Sequence, residues 1–81
     1  MRKLYRVYYN TYSDEIHARV LEEVRRRFGV VVIDHPSRVV WGFRFFEVLL
    51  EDPGREDEIK DIVSSVSGDV RVKVDWVDTS R

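Results

Sequence analysis

Cysteine and glutamine are absent from this 81-residue chain, methionine occurs once and proline twice. Without cysteine there is no disulfide framework, no thiolate-held zinc, no iron–sulfur cluster and no thiol nucleophile, which removes the electron carriers and metallochaperones built on small α/β domains. No apolar run approaches the roughly 20 residues of a membrane-crossing helix, and MRKLYRVYYN carries no apolar signal core or small-residue cleavage site. A soluble cytoplasmic protein is the expectation. Room is also scarce, since 81 residues make one small domain (1–81), near the size at which a single core becomes marginal. Nor is either sign of charge in excess: 14 Lys and Arg face 15 Asp and Glu, a net −1. The chain as a whole is therefore no electrostatic partner for nucleic acid or an anionic membrane, and only an uneven distribution of charge would make it one.

What is present is charge and aromatic carbon. Charged residues make up 36%, above the roughly 25% usual for soluble proteins. With the scarcity of thermolabile residue types, that surplus fits a protein of a hot environment. The aromatics concentrate in Trp41 to Val48, WGFRFFEV, whose alternation predicts a strand with Trp41, Phe43, Phe45 and Glu47 on one face and Gly42, Arg44, Phe46 and Val48 on the other.

The flanking chain supplies the other elements. Lys3 to Asn10 alternates as a first strand. Thr11 or Ser13 can then cap a helix whose first turn holds Asp14 and Glu15. Ile16, Val20, Leu21, Val24 and Phe28 recur at helical spacing, leaving His17, Arg19, Glu22, Glu23 and Arg26 outward, and Arg25-Arg26-Arg27 before Gly29 marks the end. Val30 to Asp34 reads as a second strand broken by His35-Pro36-Ser37, and a third strand runs from about Val39 to Glu51. Asp52-Pro53-Gly54 predicts a cap and first turn for a second helix with Ile59, Ile62, Val63 and Val66 inward and Gly68 at its end. Asp69 to Val77 alternates as a fourth strand. The order β-α-β-β-α-β, with right-handed crossovers, implies an α+β ferredoxin-like sandwich: a four-stranded antiparallel sheet in the order 4-1-3-2 with both helices on one face.

One sheet face is then free. Tyr5, Val7 and Tyr9 with Val70, Val72, Val74 and Trp76 go toward the helices, and Arg6, Tyr8, Arg71, Lys73 and Asp75 go outward. The third strand fits either way. Gly42, Phe46, Val48 and Leu50 inward buries Arg44, whereas Trp41, Phe43, Phe45 and Leu49 inward buries Glu47 and exposes Phe46. A bulge near Gly42 would reconcile the two. The first choice buries the longer apolar row and sets Tyr8, Trp41, Phe43 and Phe45 on the open face beside Arg6, Arg71 and Lys73. Aromatics interleaved with cations suit single-stranded RNA or DNA, because bases stack on rings at about 1–3 kcal/mol each while cations meet phosphates.

Gly42-Phe43-Arg44-Phe45-Phe46-Glu47-Val48 resembles the octamer motif on the third strand of the RNA recognition motif family, with Phe43 and Phe45 at the stacking positions. Val7-Tyr8-Tyr9-Asn10 is similar to that family's hexamer, with Tyr8 as the stacking aromatic. Trp41 stands where the family has a basic residue, Arg44 where it has a small one, and Val48 where it has an aromatic. The resemblance implies a non-enzymatic nucleic-acid-binding module. Trp41-Gly42-Phe43-Arg44 with Phe46 and Val48 is also similar to a strand of the nucleotide-exchange domain of archaeal elongation factor 1-beta, although the ending DWVDTSR does not reproduce that family's C-terminus. Beside both stands an interaction reading, in which the same face pairs with a second copy or another subunit, since monomers rarely expose large apolar patches.

Other chemistry finds little support in the residues. Asn10-Thr11-Tyr12-Ser13 lacks the glycine of an acylphosphatase phosphate loop, and Asp52-Pro53-Gly54 follows the third strand rather than the first, unlike the turn of amino-acid-sensing ACT domains. His17 and His35 have no third ligand in view, so no metal and no cofactor are expected. No catalytic constellation stands out. Arg25-Arg26-Arg27 suits the negative end of a helix dipole, and the acidic second helix reads as a solvated face that would repel nucleic acid.

Overall fold

The computed structural model describes residues 3–36, 42–51, 54–69 and 71–78. The elements are β1 (Lys3–Asn10), α1 (Asp14–Phe28), β2 (Val32–Pro36), β3 (Phe43–Leu50), α2 (Glu56–Ser67) and β4 (Lys73–Asp78). One antiparallel sheet runs β2-β3-β1-β4, which is the expected 4-1-3-2 read from its other edge, and the ferredoxin-like βαββαβ topology is as predicted.

Alternation along β1 and β3 builds the core. Tyr5, Val7 and Tyr9 point to the helices with Phe46, Val48 and Leu50, and they meet Val20 and Val24 of α1 and Ile59, Ile62 and Val63 of α2. Each large side chain so buried contributes about 1.5–3 kcal/mol relative to exposure. The β1–β3 ladder runs unbroken from Lys3 opposite Leu50 to Asn10 opposite Phe43. There is thus no bulge within it, and the register with Arg44 toward the helices is the one adopted. Arg44 escapes a buried charge because it sits at the sheet's end: its Nε donates to the Thr11 carbonyl at 3.1 Å and its guanidinium reaches Asp14 at 2.8 Å. Gly42 is required just before it, with φ +88° and the Tyr12 ring so near that an added Cβ would lie 2.6 Å from Cε1.

α1 starts where Ser13 accepts from the Ile16 amide at 3.2 Å and stops at left-handed Gly29, whose N–H donates to the Arg25 carbonyl. Gly68 ends α2 in the same way. The beginning of α2 differs from expectation. The helix opens at Glu56 after Arg55, with no side-chain cap, so Pro53 is not its first residue; Asp52 and Pro53 lie outside the described residues. Two strand limits also move. β2 is Val32–Pro36 rather than Val30–Asp34, because Ile33 and His35 pair with Glu47 and Phe45 of β3, and cross-strand pairing rather than local β-propensity sets an edge strand's limits. β4 begins at Lys73, not Asp69, whose carboxylate instead accepts from the amides of Asn10 (2.8 Å) and Arg71 (2.9 Å). The Arg71 amide, chiefly, holds that carboxyl below its usual range.

Candidate functional site

β1 and β3 place four register pairs on the open face: Leu4 with Leu49, Arg6 with Glu47, Tyr8 with Phe45, and Asn10 with Phe43. β2 adds Ile33 beside Glu47 and His35 beside Phe45, and β4 adds Val77, Asp75 and Lys73 beside Leu4, Arg6 and Tyr8. The face is therefore banded. An apolar band containing exposed Leu49 and Val77 lies at one end, a charged row crosses the middle, and an aromatic band closes the other end.

In the aromatic band, neighbouring strands bring the rings side by side. Phe45 stacks on Tyr8 with centroids 4.9 Å apart and planes 6° off parallel, and on its other side His35 stacks at 4.9 Å and 20°. Phe43 leans on Tyr8 at 6.0 Å and 31°. Both faces of Phe45 are thus covered by protein. In the charged row, the Glu47 side chain is only 14% exposed and is held from two sides, by Arg6 Nε at 3.2 Å and His35 Nε2 at 2.5 Å. A carboxylate only accepts, so the His35 proton on Nε2 points at Glu47. Lys73 and Asp75 make a looser, exposed pair at 3.9 Å, of the kind that contributes little.

Of the predicted binding residues, Arg6, Tyr8, Phe43, Phe45 and Lys73 come together on this face. Arg71 stands exposed two positions before β4, and Trp41 lies outside the described residues. His35 and Glu47 belong to the cluster and were not foreseen: the alternation of the third strand already set Glu47 outward with Phe45, but β2 ends two residues later than its β-branched run suggests. Trp76 is on the helix side as expected, opposite Tyr5, yet it is 46% exposed and covers Lys3, whose Nζ lies 3.8 Å from the ring centroid.

His17 is the clearest correction. Expected outward, it is 7% exposed, because positions 17, 20, 21, 24 and 28 continue one helical stripe. Its Nε2 donates to Asp34 Oδ1 at 2.9 Å, so Nδ1 is free to accept from the Tyr9 hydroxyl at 2.5 Å. Burial pushes the Tyr9 phenol well above its usual range, against a smaller opposing effect of Arg44. Tyr9 is 1% exposed, and this chain of hydrogen bonds ties β1, α1 and β2 together, reaching the surface only at Asp34. On the far side, a half-open hollow of about 250 Å³ lies between the helices. Two of its acids are already engaged, Glu23 by Arg26 and Glu58 by Arg55 and Arg27.

Among the described residues no group of three or more His, Asp or Glu is arranged to hold a metal ion, and no helix is long and apolar enough to cross a membrane. In comparisons with family models, curated proteins and solved structures, none matched the chain.

Proposed function

We propose that this chain is a non-enzymatic interaction module whose open sheet face docks a protein partner. The observation that carries the reading is the banding of that face: half-exposed apolar and aromatic rows on either side of a charged row whose members are already paired. A protein surface meets such a pattern well, because apolar rows bury area while the pre-formed Arg6–Glu47–His35 group needs no new counter-ion. The likeness to an exchange domain that acts on a GTPase falls in the same class.

Binding of single-stranded RNA or DNA is the second reading, favoured by Tyr8 next to exposed Lys73 and Arg71. Against it, a base stacking on Phe45 has to displace Tyr8 or His35, and the charge of Arg6 is already shared with Glu47 through Nε.

A photo-crosslinking amino acid placed at Leu49, on the open face, or at Asp61, on α2, separates the readings. Protein crosslinks in cell extract are expected from Leu49 and not from Asp61; equal labelling, or none, overturns the docking face. Fluorescence anisotropy with short labelled poly-dT and poly-U at low salt is expected to show no binding that depends on Phe43 and Phe45. Binding lost in a Phe43→Ala, Phe45→Ala variant would move the assignment to nucleic acid.

A further inference from the structure

Three of the four outward pairs of β1 and β3 are of matched kind, leucine with leucine, aromatic with aromatic, and between them arginine with glutamate; the fourth, Asn10 with Phe43, lies at the sheet's end. From this we infer that the partner on the open face is a second copy of the chain, related by a two-fold axis parallel to the strands and running between β3 and β1. The inference rests on reading the face as a protein-docking surface.

Rotation about that axis exchanges the two central strands. Leu4 then stands over Leu49 of the copy, Tyr8 over Phe45, and Arg6 over Glu47. Each pair occurs twice, so like meets like in the apolar bands and opposite meets opposite in the charged row. A two-fold perpendicular to the strands through that row would instead set Glu47 on Glu47 and Arg6 on Arg6. The charge pattern therefore selects one closed, isologous arrangement. Packed sheets cross at about −30° because each is twisted, which keeps the match best at the centre, where Arg6 and Glu47 sit. At the margins Ile33 meets Asp75 and His35 meets Lys73, rim contacts left to solvent. Four strands about 4.8 Å apart and eight residues at about 3.3 Å each give a face of roughly 20 by 25 Å. That amounts to about 1,000 Å² buried in total, at the low end for a specific interface, so the dimer is a weak one whose population depends on concentration.

Sedimentation velocity over a wide concentration range tests this, with circular dichroism confirming that each variant folds. The wild-type chain is expected to pass from monomer to dimer. Arg6→Glu alone sets Glu on Glu across the axis, and Glu47→Arg alone sets Arg on Arg; each should weaken self-association about tenfold or more. An equimolar mixture of the two variants should recover the dimer as a heterodimer, because every facing pair is then of opposite sign while the pair inside each chain remains of like sign. A wild-type chain that stays monomeric at all concentrations overturns the proposal, as does a mixture no more associated than its components. If the chain is monomeric yet Leu49 crosslinks to a different protein, the second copy is refuted while the docking face stands; if Leu49 crosslinks to nothing, both fail.

Discussion

A phenol at the centre of a small core has to place its hydroxyl proton, and in Tyr9 the proton goes to a histidine whose other nitrogen is fixed by Asp34. Tyr9→Phe would leave His17 Nδ1 buried without its donor, and an unsatisfied buried acceptor costs about 1–3 kcal/mol. Urea denaturation at neutral pH should show a loss of that size. The pH dependence follows from the same residue. The phenol's folded pKa is raised above its unfolded value of about 10, so the unfolded chain ionises first. The contribution of Tyr9 is full below about pH 10 and is lost as pH rises beyond it toward the folded value. The alkaline limb of the wild-type stability profile should accordingly fall more steeply than that of Tyr9→Phe. His17 is hidden from the sequence by its chemistry and not by its spacing: a polar residue on the apolar stripe reads as solvent-facing, although its position is that of a core residue.

Helix and strand ends follow local chemistry where a side chain or glycine supplies it. The start of α1 is set by Ser13 and its end by Gly29, and both were readable because capping serines and left-handed glycines act within four residues. Ser13→Ala should cost about 1 kcal/mol, measured as a lower urea midpoint with an unchanged slope. α2 has no such cap, and it starts at Glu56, three residues after the proline that the sequence offers as its first position. The limits of β2 and β4 are not local either: each is an edge strand whose length is decided by the strand beside it. β3 is the converse case. Its two alternating faces were legible, but the choice between them depended on whether Arg44 could find partners, and Thr11 and Asp14 belong to a loop and a helix start more than 29 residues earlier in the chain.

At the scale of the molecule, a sheet covered by helices on one side leaves four strands' outward residues to solvent or to a partner. If the partner is a second copy, folding and association are linked, and the midpoint of thermal unfolding should rise with protein concentration for the wild-type chain. The same scan on Arg6→Glu should show a smaller rise over the same concentrations. Scanning calorimetry at several concentrations measures both, and a concentration-independent wild-type midpoint would separate the fold's stability from any assembly.

What the sequence determined by itself was the order of elements, the ferredoxin-like topology and the two possible faces of each strand, because periodicity, caps and glycine stops are local and repeat along the chain. Tertiary structure alone decided which face of β3 is free, that His17 is inside, and that Phe45 lies between Tyr8 and His35. Those outcomes depend on neighbours distant in sequence: a loop carbonyl and a carboxylate that accept Arg44, a tyrosine and an aspartate that hold His17, and two flanking strands whose register brings three rings into one stack.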